Sequence, residues 1–226
     1  MQSQVTSWQE ALQDASLGDV LTWAVAKWGD DLVLASSFGA EDMVLMHQAW
    51  VMRLPLAVFS LDTDLLFPET YALIERVRDR YHYDVALYRP QLPLAQQTQQ
   101  FGGELWSREP DACCRLRKVE PLRRALAGRQ AWMTGLRREQ SPTRRELAVV
   151  QWDRTFHRVK INPLAHWSHQ AVWDYLNAHD VPYNPLHDQG YPSIGCWPCT
   201  TSVKPGEDVR SGRWTGFDKQ ECGLHR

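Results

Sequence analysis

The sequence predicts an α/β fold, a largely parallel twisted sheet flanked by helices. Short apolar runs suited to buried strands recur as far as residue 163, and stretches with helical spacing separate them, as in βαβ units. At 43% hydrophobic and 23% charged over 226 residues, the chain can bury a core and fold unaided. Its 13 Gly and 13 Pro are too few for a collagen-like or linker-like chain.

The elements follow in order. Residues 7–28 read as one or two helices, with Leu17, Val20, Leu21 and Ala24 at helical spacing. DLVLAS (31–36) suits a buried strand; SSFGAED then leads to a helix from Glu41, with Val44, Leu45 and Gln48 along it. PLAVFSL (55–61) is a second strand, followed by DTDLLFPET, whose Pro68 fits the first turn of a helix striped by Tyr71, Ile74, Val77 and Tyr81. DVALYRP (84–90) is a third strand, and helical segments cover roughly 92–101 and 110–127. AWMTG (131–135), AVVQW (148–152) and VKINP (159–163) are further strands, and Ser168 caps a helix running to about His179, with Val172, Tyr175 and Leu176 inward. VPYNPLHDQGYPSIGCWPCT, beyond residue 181, reads as ordered loop, and the Gly-containing end of the chain as a mobile tail. The division expected is an α/β body over 1–202 and a C-terminal tail over 203–226.

Charge limits the partners. The net charge of −2 argues against general nucleic-acid binding, although Arg and Lys cluster over 115–129, 137–145 and 204–213, as solvated faces also do. No run approaches the ~18 apolar residues of a membrane span, and the N-terminus lacks the basic-then-apolar order of a signal peptide. The expectation is a cytoplasmic chain with no membrane partner, and its oligomeric state is left open.

Five cysteines are too few for a disulfide scaffold. They divide into four plus one: adjacent Cys113 and Cys114 on a helix, Cys196 and Cys199 as C-x-x-C in a loop, and Cys222 near the end. Two tight pairs suit a tetrahedral zinc or an iron–sulfur cluster. Adjacent cysteines point poorly at one small ion but reach two corners of a larger cube, which favours [4Fe–4S]; a lone redox C-x-x-C leaves the first pair unexplained. Cys222, beside Glu221, Gly223 and His225, is a candidate nucleophile if cations from elsewhere promote its thiolate, and an incidental surface thiol otherwise.

Three segments fall at the carboxyl ends of strands, where such sheets bind ligands. Ser36, Ser37 and Gly39 offer backbone N–H groups at a helix N-terminus and fit a phosphate or sulfate cradle, or a plain strand-to-helix turn. Asp62 and Thr63 suit a capping loop as well as ligand contact. GLRREQSPTRR (135–145) lacks the apolar stripe of a packed helix, and its arginine forks suit phosphate and sulfate oxygens.

SSFGAEDMVL, LDTDLLFPET, CCRLRKVEPL, GLRREQSPTRRE, IGCWPCT, RSGRW and ECGLH occur in this order. Together they closely resemble the assimilatory adenylyl-sulfate (APS) reductases of bacteria, within the wider phosphoadenylyl-sulfate (PAPS) reductase family, from about residue 30 to the end. The resemblance implies an adenine nucleotide α-hydrolase-like (PP-loop type) fold and reduction of APS to sulfite and AMP, with reduced thioredoxin or a glutaredoxin-like donor. It implies that Ser36, Ser37 and Gly39 hold the phosphosulfate, that Leu61 and Gly135 lie by the adenosine, and that Arg144 or Arg145, with Arg210 and Arg213, surround the anion. It implies a [4Fe–4S] cluster on Cys113, Cys114, Cys196 and Cys199, Lys118 between cluster and substrate, Cys222 as nucleophile and His225 in the catalytic group. Two departures stand out: Asp64 where Gly is common, and no longer Trp run after Arg213–Trp214. Asp64 adds negative charge near an anionic site. Alternatives are PAPS as substrate, an ATP-using PP-loop enzyme such as a tRNA thiolase, and a zinc-binding interaction module.

Overall fold

Six strands form one sheet because their short runs bury both faces. They are β1 (Leu32–Ala35), β2 (Ala57–Leu61), β3 (Val85–Tyr88), β4 (Ala131–Met133), β5 (Val150–Asp153) and β6 (Arg158–Ile161), and the spatial order is β3-β2-β1-β4-β6-β5. The computed structural model describes residues 2–225. Neighbouring strands are parallel, except that β5 runs antiparallel to β6. The linker between those two is too short for a parallel crossover. Asp153 shapes their turn by accepting from the N–H groups of Thr155 and Phe156, at 2.8 and 3.0 Å.

Side chains alternate across the sheet with the strand period of two. Leu32 and Leu34 join a large core with helices α2 (Leu17–Trp28), α3 (Ala40–Val51), α4 (Pro68–Tyr81) and α9 (His169–Ala178). Val33, Phe59 and Trp132 face a second core built with Leu122 and Ala125 of α8 (Glu120–Ala125) and with Leu126. The segment before β1 is two helices, because the Ser16 hydroxyl caps α2 by accepting from Asp19 N–H. The first, α1 (Gln2–Leu12), covers the exposed edge of the sheet: Gln9 Oε1 accepts from Val150 N–H of β5. Ser168 caps α9 in the same way, and Pro68 occupies the first turn of α4.

The helical stretch predicted over 110–127 is interrupted. After α5 (Leu94–Phe101) and α6 (Leu105–Arg108), α7 (Pro110–Cys114) passes into a π turn, Arg115–Val119, before α8. Pro121 supplies the reason: it has no N–H for the Arg117 carbonyl, and its ring crowds that carbonyl in a regular helix. The wider turn lies directly after the paired cysteines and carries Arg117 and Lys118.

Connections leave β1 towards β2 and leave β4 towards β6, in opposite directions. This switch point opens a crevice at the carboxyl ends of β1 and β4. Residues 203–225 form turns without helix or strand and return to the body. Thr200 bridges Arg213, Lys219 pairs with Asp111 of α7, and Leu224 packs on the second core. No helix among the described residues is long and apolar enough to cross a membrane.

Candidate active site

A cavity of about 290 Å³ occupies the switch point. Ser36, Ser37 and Gly39 line it from the loop after β1, Leu61 from the end of β2 and Gly135 from the loop after β4. Lys118 enters from the π turn, and Arg144, Arg210 and Arg213 enter from two loops. Cys222 and His225 of the tail complete the wall. Arg145 is exposed and does not line it, so of the two adjacent arginines the cavity takes Arg144.

Asp42, unremarked in the sequence beyond its place in SSFGAED, organises the loops after β1 and β4. Its carboxylate accepts from Ser37 N–H at 2.7 Å, Ser37 Oγ at 2.9 Å and Gly135 N–H at 3.2 Å, tying the β1 and β4 loops together. Burial raises its pKa to about 6 against the pull of the Ser37 bonds. Gly135 is required by this closeness: a Cβ there would stand 2.5 Å from Asp42 Oδ1. Behind Leu61, Asp62 accepts from Tyr71 Oη at 2.6 Å and Arg89 Nε at 2.9 Å, which outweighs the effect of burial and keeps its pKa low.

Asp64 adopts a left-handed conformation, φ 57°, of the kind a glycine takes without strain. Its carboxylate accepts from Arg117 Nη1 at 2.9 Å, so the charge it adds is matched locally.

The tail carries its own anchor. Glu221 accepts from Arg144 Nε and Nη2, both at 2.9 Å, and lies 3.4 Å from Arg210 Nη2. Glu221 therefore docks Cys222 beside the cations that a thiolate needs. Arg213 donates to Ser193 Oγ at 3.1 Å and lies over the Trp214 ring.

The other four cysteines gather behind Lys118. Cys113, Cys114, Cys196 and Cys199 are free thiols lining one small space with Arg117, Lys118, Trp106 and Trp214. Lys118 lines both this space and the large cavity. Burial, then the neighbouring thiols, pushes Cys113 up to about 12, and Cys199 rises to about 11 for the same reasons. Burial opposes charge on Lys118, but the sulfurs of Cys196, Cys222 and Cys114 outweigh it and hold the ammonium above its ordinary range. Among the described residues, no three His, Cys, Asp or Glu side chains are arranged to hold one metal ion. The residues do fit a larger anionic thiolate-bound group. Arg117 is buried, donates Nη1 to Thr63 O and Asp64, and keeps Nε and Nη2 without partners beside the thiols. Such orphaned donors call for an acceptor. The Thr63 hydroxyl lies 3.3 Å from Cys196 Sγ, close enough to hydrogen-bond. Neither spacing nor composition shows which donors a fold leaves unpaired, so the sequence carries no signal for Arg117 in this place.

Comparisons with known proteins agree with this geometry. A model of the phosphoadenosine phosphosulfate reductase domain matches residues 31–202. The chain is 51% identical over 207 residues to an adenosine 5′-phosphosulfate reductase of Anoxybacillus flavithermus, covering 91% of this chain and 88% of that one. It is 48% identical over 227 residues to the protein of that name from Halalkalibacterium halodurans, covering 100% and 98%. Among solved structures, a phosphoadenylyl-sulfate reductase from Candida auris, in a phosphate complex, superposes with a TM-score of 0.80 at 31% identity over 90% of this chain and 98% of that one. The Candida glabrata FMN adenylyltransferase, TM-score 0.60 at 15% identity over 96% and 76%, shares the fold. This chain therefore belongs to the phosphoadenosine phosphosulfate reductase family, and its nucleotide-binding α/β fold is that family's.

Proposed function

We propose that the chain reduces adenosine 5′-phosphosulfate to sulfite and AMP, drawing electrons from a dithiol protein such as thioredoxin. The observation carrying this reading is the convergence of Cys222, Lys118, Arg144, Arg210 and the Ser36–Gly39 loop on one cavity. The names of the relatives at about half identity favour APS over its 3′-phosphorylated form.

In the first step the Cys222 thiolate attacks the sulfuryl sulfur. An S–S bond forms, the S–O bond to phosphate breaks, and AMP departs with the electron pair, leaving S-sulfo-cysteine. Arg144, Arg210 and Lys118 stabilise charge on the sulfuryl oxygens and the departing phosphate, and the Ser36–Gly39 loop holds the phosphate. A thiolate of the reduced donor then attacks Cys222 Sγ, and sulfite leaves with the S–S electron pair. The donor's second thiol resolves the mixed disulfide and returns Cys222 as a thiolate. Sulfur gains two electrons, and the dithiol becomes a disulfide.

Cys113, Cys114, Cys196 and Cys199 are proposed to hold a [4Fe–4S] cluster, supported by the unpartnered Arg117 donors beside them. When bound, it supplies a fixed electrostatic field beside Lys118. A cytoplasmic setting suits a nucleophile that must stay reduced.

Mass analysis after mixing with APS, without donor, tests the proposal. A sulfonate adduct on Cys222 is expected. An adduct elsewhere, or none, overturns it, and a rate preference for the 3′-phosphorylated nucleotide reassigns the substrate.

A further inference from the structure

Lys160 is an unusual residue for its place. It sits in the middle of β6, 2% exposed, between Trp132 of β4 and Gln151 of β5 in the sheet register. Its side chain lies on the second-core face, with the ammonium 4.7 Å from the Trp132 ring centre. A buried ammonium is costly unless paired. Asp153, the nearest carboxylate on the same hairpin, is already engaged by two backbone N–H groups. The hydrogen bond recorded for the Lys160 ammonium is to the tail: Nζ lies 3.1 Å from His225 Nδ1. The His225 ring stacks on Trp132, with centres 5.8 Å apart and planes at 21°, and Leu224 enters the apolar cluster around Trp132.

We propose that Lys160 is a positioning residue for the tail: through His225 it holds Cys222 in the cavity. Among the described residues, the body thus carries a buried cation whose hydrogen bond is made to the docked tail. Undocking the tail breaks that hydrogen bond, so the body contributes a contact to docking as well as the tail. Electrostatics agrees with the geometry. Burial lowers Lys160 to about 8, with Asp153, Glu221 and Cys222 opposing and Arg144 reinforcing the shift. Burial, then Lys160, Arg144, Arg210 and Lys118, takes His225 well below its ordinary value. At neutral pH the contact is an ammonium donating to a neutral imidazole.

The inference rests on Cys222 working inside the cavity, and its test needs no substrate. The full-length protein is labelled with a maleimide bearing a polymer too bulky to enter the cavity, and the Cys222 peptide is followed by mass spectrometry. Lys160→Met keeps the volume and removes the donor; His225→Ala removes the acceptor and, lying in the tail, leaves the body intact. Each should speed labelling of Cys222 by about tenfold, the scale of one lost charge-assisted hydrogen bond. Because Lys160 acts through His225, the double variant should label no faster than His225→Ala alone. For Lys160→Met, a residue off the cavity wall, AMP binding shows that the body is folded. Unchanged labelling in His225→Ala overturns the proposal, as do unchanged labelling in an AMP-binding Lys160→Met or multiplied effects in the double variant. A protein whose Cys222 forms no adduct with APS sinks the enzymatic reading instead and leaves the labelling result standing.

Discussion

Replacing Arg144 with Ala tests whether the tail works from the position seen here. Arg144 sets two nitrogens, each at 2.9 Å, against the two oxygens of Glu221, and both side chains are largely buried, at 10% and 13% exposure. Arg210 at 3.4 Å and the Thr143 hydroxyl at 3.3 Å remain on that carboxylate after the change. The loss is therefore close to one hydrogen bond between charged groups, about 1.5–3 kcal/mol, or about ten- to a hundredfold in the docked population. The assay is single turnover with APS and no donor, quenched and read as the mass of the Cys222 adduct. The rate constant should fall by that factor and stay low at saturating APS, because the deficit lies in tail placement as well as in anion binding. Arg145→Ala is the internal control: its side chain is exposed and off the cavity, so it should react as wild type. Adduct formation at the wild-type rate in Arg144→Ala refutes the reasoning.

Cys222→Ser should lose both the adduct and sulfite production; sulfite at the normal rate, measured with donor present, excludes Cys222 as nucleophile. Asp42 is ionised above about 6 and protonated below, since burial has moved its carboxyl upward. AMP affinity should weaken as pH falls through that value, when the charge holding Ser37 and Gly135 is lost, and Asp42→Asn should flatten the profile in titration calorimetry. Gly135→Ala forces a Cβ to within 2.5 Å of Asp42 Oδ1. It should lower stability by about 1–3 kcal/mol and Tm by about 2–10 °C in a thermal melt; an unchanged Tm denies the close approach. Cys113→Ser should reduce iron and sulfide per chain in anaerobically purified protein, and unchanged content removes Cys113 as a ligand.

All six strands and most of their helical partners could be read from the sequence, the strands as short apolar runs and the helices from their period. DLVLAS and PLAVFSL are buried on both faces, and the Tyr71–Tyr81 stripe follows one side of α4. The break after Cys114 was less legible: helical spacing continues through it, and only Pro121 marks a carbonyl without a partner. At the site, motif order singled out every predicted residue that lines the cavity, but it could not separate Arg144 from Arg145. Which of two adjacent arginines points inward depends on where tight turns place their Cα–Cβ bonds, and that is a property of the folded loop. Asp42 and Arg117 were hidden for another reason. Their importance lies in the hydrogen bonds they make or lack, and no residue pattern records those. Lys160 did leave a trace: a lysine between Val159 and Ile161 in a strand buried on both faces has no apolar reason to be there.

The tail shows how an aperiodic segment can still have a defined seat. Residues 203–225 lack the apolar stripe that packs a helix, and from composition they read as mobile. They are held instead at a few points: Lys219 on Asp111, Glu221 between two arginines, Leu224 in an apolar pocket and His225 between Lys160 and Trp132. Most of these points are charged or polar, and each is partly exchanged for hydration when the tail leaves, so each contributes at most about 1.5–3 kcal/mol. A continuous apolar stripe would hold harder but would expose its whole face on release. Point contacts thus suit the role proposed for Cys222, which has to reach a buried nucleotide and then a protein donor. Lys160 adds one such point from the body's side, without adding an apolar surface to the tail.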